Sequence, residues 1–206
     1  MEDTLSRNEE VRRTAQYIIK HCIEGTDQSA RRAALAHLRA SIGKPLSQSV
    51  EIWPLILGNV PEYFIGTHAT ITYELKAVIY AMQLYALFEQ GADRSAQEKH
   101  QCTETSQGDV CQKKPYTSMG VTLRVLRVDE GSRPAMDRRF NVMITANDFE
   151  SFIYYLRQLV RLLKGKTKLE KPSIDYGTLA SDLYALQFLD SENVRLKWAQ
   201  DYYSTK

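Results

Sequence analysis

Residues 70–89 read TITYELKAVIYAMQLYALFE, and the spacing within this stretch decides the fold class. Ile71, Leu75, Val78, Ile79, Met82 and Tyr85 recur at helical intervals and mark one inward face. The positions between them are apolar as well, so the helix is expected to be covered on two sides. It reads as the central helix of an N-terminal bundle.

Helical patterns continue in both directions. Toward the N-terminus, 11–23 places Ala15, Ile18, Ile19 and Cys22 on one face. Asp27-Gln28-Ser29 offers an N-cap for a second helix over 30–41, whose Ala34, Leu35, Leu38 and Ile42 follow helical spacing before Gly43-Lys44-Pro45 stops it. Over 52–57 a short apolar stretch is interrupted by Pro54, and Trp53 is expected to anchor this loop to the core. Toward the C-terminus, 91–115 is polar and has almost nothing to bury, so a mobile loop is expected there.

Helices resume at 118–128. Ser132 is expected to cap a helix with Pro134 in its first turn and an inward stripe of Met136, Phe140 and Met143. Thr145-Ala146-Asn147-Asp148 resembles a capping box ahead of a helix over 146–164, which carries Phe149, Phe152, Ile153, Leu156, Val160 and Leu163 as its apolar stripe and ends at Gly165. Two more helices follow at 176–189 and 192–203, the last capped by Ser191; in it Trp198 and Tyr202 read as packing residues. No region alternates with a period of two. The expected fold is all-α: an N-terminal helical bundle over 1–90, a mobile polar loop over 91–115, and a C-terminal helical bundle over 116–206.

Charge is unevenly spread along this scaffold. The chain as a whole carries a net charge of +2. From Gln112 to Lys171, thirteen Lys and Arg face six Asp and Glu, so this segment holds +7 and the rest of the chain −5. A localised basic surface of this kind suits a polyanion. The same excess is also compatible with a solvated helix face.

On the helix over 146–164, Arg157, Arg161 and Lys164 form a second stripe about a quarter-turn from the apolar one, and Lys166 and Lys168 extend it. The helix dipole also favours cations at this end. Arg138 is expected to face away from the Met136–Phe140–Met143 stripe, whereas Arg139 lies beside it and is expected to be partly buried and paired. Arg124 and Arg127 share a face, near Lys113 and Lys114. Cations distributed over successive helices fit contacts to a phosphate backbone; with no aromatic residues interleaved among them, base-specific recognition is not indicated.

Signals for catalysis and metal binding are weak. His21, His37, His68 and His100 belong to no paired helical motif, and neither a phosphate-binding Gly-rich loop nor a nucleophile elbow is present. No cluster of carboxylates suggests divalent metal chemistry. His100, Cys102 and Cys111 have irregular spacing and lack a fourth ligand, so no metal is expected. Neither an enzyme nor a cofactor is expected. The acidic N-terminus has no apolar signal segment and no apolar run approaches the ~20 residues of a membrane span, so a cytoplasmic location without membrane contact is expected.

Four stretches also carry a family resemblance. Arg32-Ala33-Ala34-Leu35-Ala36-His37-Leu38-Arg39 with Gly43-Lys44-Pro45 looks like the N-terminal signature of the CasB small-subunit family of type I-E CRISPR Cascade complexes. Ser118-Met119-Gly120 with Leu123 and Asp137-Arg138-Arg139-Phe140, then 156–163, then 194–203, are similar to its later parts. The resemblance implies an all-helical fold of two small bundles. It also implies paired small subunits lying beside the backbone and large subunits of Cascade, helping to hold the guide RNA–target DNA hybrid and the displaced strand. No catalysis is implied, since cutting belongs to a separately recruited helicase-nuclease. Carried over by position, the family's nucleic-acid surface falls on Arg139, then Arg138, Arg157 and Arg161, with Lys113 and Lys114 matching a basic pair ahead of the Ser-x-Gly element. Asp190-Ser191-Glu192 is acidic where some relatives carry basic residues. The alternative role is a helical adaptor that bridges Cascade proteins without touching nucleic acid.

Overall fold

The computed structural model describes residues 2–67, 70–90, 117–166, 174–188 and 191–204. Regular structure is helical throughout and no β-strand occurs among the described residues, so the fold is all-α. The polar stretch expected to form a mobile loop lies outside the described residues, and so do Lys113, Lys114, His68, His100, Cys102, Cys111 and Lys168.

Helix α1 (Glu2–Tyr17) begins earlier than expected and runs on as a π-helical turn, Ile18–Ile23, that buries Ile18, Ile19 and Ile23. Asp27 caps α2 (Gln28–Ala40) as expected, accepting hydrogen bonds from the Ser29 and Ala30 amides at 2.8 and 2.9 Å. Short helices α3 (Trp53–Ile56) and α4 (Glu62–Ile65) follow. Trp53 does not enter the core: it is 39% exposed, and its indole N–H donates to the Leu46 carbonyl at 2.9 Å, pinning a neighbouring turn.

Helix α5 (Tyr73–Phe88) is the central helix, buried on nearly every side from Leu75 to Phe88. Its start lies later than the apolar pattern suggests. Thr72 takes the cap position, accepting from the Leu75 amide at 3.2 Å, which leaves Ile71 outside the helix and 41% exposed. The pattern cannot tell the last apolar residue of a loop from the first of a helix; the hydroxyl of Thr72 makes that choice.

In the second half, α6 (Met119–Arg124) continues into a 3₁₀ turn, Val125–Arg127, followed by α7 (Arg133–Ile144), α8 (Phe149–Lys166), α9 (Tyr176–Ala185) and α10 (Ser191–Tyr203). Ser132 stands at the cap position of α7, but its hydroxyl turns back to the Asp129 carbonyl at 3.4 Å and caps no helical amide. Ser191, expected as the cap of the last helix, is its first helical residue. The cap of α8 is Asp148, which accepts from the Ser151 amide at 2.8 Å. Thr145, expected to open a capping box, instead donates its hydroxyl back to the Asn141 carbonyl and closes α7. Two potential caps stand three residues apart here, and the carboxylate holds the helix start.

Helix partners do not follow chain order. α9 packs against α1 and α5, while α10 lies along α6, and α7 lies along α8. α8 in turn touches α5, so one continuous core joins both halves. Helix α10 is the piece that closes this arrangement. Trp198 is fully buried and its indole donates to Asp182 of α9 at 2.7 Å. Burial pushes the Asp182 carboxyl upward, opposed by Lys197 and by the Trp198 donor. Tyr202 stacks flat on Phe140 of α7 with ring centroids 3.8 Å apart. The role of Ser118-Met119-Gly120 is also visible here. Ser118 caps α6 and bonds the Asp201 carboxylate, while a Cβ at Gly120 would lie 2.3 Å from the Trp198 carbonyl oxygen. Only glycine allows α6 and α10 to approach this closely.

Candidate nucleic-acid interface

Helix α7 buries Met136, Phe140 and Met143, so the residues between them point outward. Arg138 and Arg139 are both exposed, and among the described residues neither makes a hydrogen bond or an ion pair. Arg139, expected to be partly buried and paired, is neither. The turn between Met136 and Phe140 carries both arginines clear of the core, and among the described residues no carboxylate of a neighbouring helix reaches them.

Facing them is the outer side of α8. A groove of about 900 Å³ runs between the two helices, bordered by Arg138 and Arg139 on α7 and by Tyr154, Tyr155 and Gln158 on α8. Its floor is apolar, from Ala135, Val142 and Leu159. Tyr154 is 56% exposed, and its ring meets that of Tyr155 edge-on at 5.3 Å. Arg161 is exposed and donates to Gln158, a residue of the groove lining, at 3.5 Å.

The other members of the expected cationic stripe turn elsewhere. Arg157 is half-buried toward α5, where it donates to Gln83 at 3.0 Å and lies 5.1 Å over the Tyr80 ring. Burial lowers its pKa, against the pull of Tyr80 and Glu150. Lys164 donates to Gln90 at 3.0 Å, just past the end of α5. Glu150 accepts from Lys76 and Tyr80 on the same helix, both at 2.6 Å. Positions 150, 157 and 164 of α8 thus meet 76, 83 and 90 in parallel register, each step about two helical turns. Two of the three cations expected to form one outward stripe, Arg157 and Lys164, therefore lie on a seam against a second helix.

Arg124 and Arg127 are also drawn inward. Arg127 grips Asp137 with two hydrogen bonds, of 2.7 and 3.3 Å, and lies 4.7 Å over the Tyr203 ring. Arg124 reaches the Ser204 carbonyl at 3.5 Å. Both hold the end of α10 against the turn after α6.

Of the candidate cations, Arg138 and Arg139 thus line one outward groove and Arg161 is exposed beside its Gln158, while Arg157, Lys164, Arg124 and Arg127 are engaged within the protein. Lys113 and Lys114 lie outside the described residues. The tyrosines of the groove were missed by sequence reasoning. A signal lies in the sequence: Tyr154 stands off the apolar stripe of α8, where a large ring has no obvious place to pack. Among the described residues no group of three or more His, Cys, Asp or Glu comes together, and no helix is long and apolar enough to cross a membrane.

Comparison with known proteins gives a consistent result. The family model described as CRISPR-associated protein Cse2 matches residues 34–203. Among solved structures, the chain is similar to CasB from Thermobifida fusca (20% identity, TM-score 0.65, covering 96% of this chain and 98% of that one). It is similar to a Cse2-family CRISPR-associated protein from Thermus thermophilus (22% identity, TM-score 0.60, covering 94% and 97%). CasB from M. ruber is a third such structure (19% identity, TM-score 0.62, covering 92% of each chain). At these identities the likeness is one of fold. No curated protein matches the chain by sequence.

Proposed function

Since this chain belongs to the family of the CRISPR-associated protein Cse2, a subunit of the CRISPR Cascade complex, we propose that it is a non-catalytic small subunit that holds nucleic acid there by contacts to the phosphate backbone. One observation carries the reading. Arg138 and Arg139 line one groove that has no carboxylate among its lining residues, and Arg161 is exposed beside Gln158, another residue of that lining. Guanidinium groups that form no ion pair among the described residues leave a positive potential over that surface. They suit phosphate because their forked donors can bond two oxygens together.

In this reading the ligand is the guide RNA with its target DNA, or the displaced strand, and base pairing rather than this protein reads sequence. The chain works in the cytoplasm, beside the backbone and large subunits and a second copy of itself.

The test is binding to nucleic acid across a salt titration, for the wild type and for Arg138→Ala/Arg139→Ala/Arg161→Ala. Removal of each phosphate-binding arginine should flatten the logarithmic salt slope by about 0.7 on a single strand or 0.9 on a duplex. Helix content should be unchanged. If the triple variant binds like the wild type but no longer joins the other subunits after nuclease treatment, the groove serves protein contacts, and the adaptor role replaces this one.

A further inference from the structure

We propose that the groove between α7 and α8 receives an unpaired base, stacked on Tyr154, so that the protein holds single-stranded rather than duplex nucleic acid at this point. The proposal rests on the phosphate-binding role given above and adds the class of strand.

The groove contains more than charge. Phosphate binding alone needs only cations with reach. Here there is in addition an apolar floor and the ring of Tyr154, which is 56% exposed although it adjoins a helix face that buries its neighbours Phe152 and Ile153 completely. An exposed ring at such a place leaves apolar surface in water. Tyr155, packed partly against the core, meets Tyr154 edge-on and fixes one side of it, while the groove stays open on the other. The volume of about 900 Å³ is ample for a nucleoside.

The positions of charge and ring then select the strand. Arg138 and Arg139 stand on α7, across the groove from Tyr154, and Arg161 stands beyond Gln158. A backbone passing over the arginines would direct its sugars and bases toward the ring. In a duplex, bases are stacked on each other and paired, so none has a free face to offer. In a single strand every base has one, and stacking on an aromatic side chain is indifferent to base identity. Gln158, with its amide held by Arg161, supplies a polar group beside the stacked base without a fixed base-reading geometry.

The experiment measures the affinity of the full-length protein for three probes of equal length: an oligothymidylate, the same backbone with abasic sites, and a duplex. The wild type should prefer the oligothymidylate. Tyr154→Ala should weaken that binding by roughly tenfold, as expected for one missing stack, and leave the duplex unchanged. Tyr154→Phe should retain it, which separates a stacking ring from a damaged fold. Abasic strand binding as tightly as the intact strand, or Tyr154→Ala weakening all three probes alike, would overturn the base pocket while leaving the phosphate reading in place. A salt slope insensitive to Arg138→Ala/Arg139→Ala, or no binding of any probe by the wild type, would overturn both. Full affinity in Tyr154→Ala with loss of subunit capture would give the groove to a protein segment instead.

Discussion

Arg157 and Arg161 stand one turn apart on α8, yet they belong to different regions. Arg157 faces the seam with α5, where it is half-buried and Gln83, Tyr80 and Glu150 stand around its charge. Arg161 is exposed, and its one hydrogen bond among the described residues goes to the Gln158 amide oxygen. The seam gives its cations partners within the protein, although the Nε of Arg157 is buried without one; the groove leaves its arginines for something else to satisfy. Positive charge counted along a chain therefore says little about binding. What matters is whether the fold has already provided a counterpart.

Removing Arg157 gives the sharpest test of that contrast. Arg157→Ala should cost about 2 kcal/mol of stability, since it deletes both a half-buried charged hydrogen bond and a cation–π interaction. Chemical denaturation would measure it, and the folded protein should bind nucleic acid as before. If Arg157→Ala instead weakens binding with no change in stability, the division between seam and groove is wrong. Next in size is Arg138→Ala/Arg139→Ala, which should weaken single-strand binding by about tenfold at low salt while shifting stability by less than about 0.5 kcal/mol.

Arg127→Ala belongs with the seam in kind, although it lies elsewhere. It should cost about 1 kcal/mol by deleting the bidentate pair with Asp137, measured as a lower denaturation midpoint without a change in salt slope. The smallest effect concerns pH. Burial raises the Glu150 pKa, but the hydrogen bonds from Lys76 and Tyr80 win and the net shift is downward. A depressed carboxyl stabilises the fold at pH values above its unfolded pKa, about 4.3, and that contribution is lost as pH falls through the folded value. Glu150→Gln should therefore make stability below about pH 4 slightly less dependent on pH, as acid titration of the denaturation midpoint would show.

Helical periodicity made most of the fold legible. The burial of Trp198 and Tyr202, the Asp27 cap and the stripe of Met136, Phe140 and Met143 all follow from spacing and side-chain chemistry. The candidate site was legible only in part. A helical wheel places Arg157 a quarter-turn from the buried stripe, but it cannot say whether that quarter faces water or a second helix. The side of α5 that would settle the matter lies about seventy residues away in sequence. For the same reason α9 gives no sign that it belongs against α1: its pairing is set by long-range packing, including the close approach of Gly177 to Gln16. The expectation for Arg139 fails for a smaller reason. Phe140 beside it in sequence is buried, but adjacency along a helix does not mean adjacency in space.

The seat of Trp198 bears on how the molecule is made. Every described segment that α10 touches is translated before it: α6 with its Gly120 notch, Phe140 on α7, Asp182 on α9. While the chain is growing, that notch stands open and a carboxylate destined for the interior has no indole to meet. The second half can collect its helices in order but cannot lock them until residues 191–203 arrive. A ribosome stalled even shortly before that point would hold a chain with its core ajar, and nascent-chain proteolysis at successive lengths should show protection arriving in one late step.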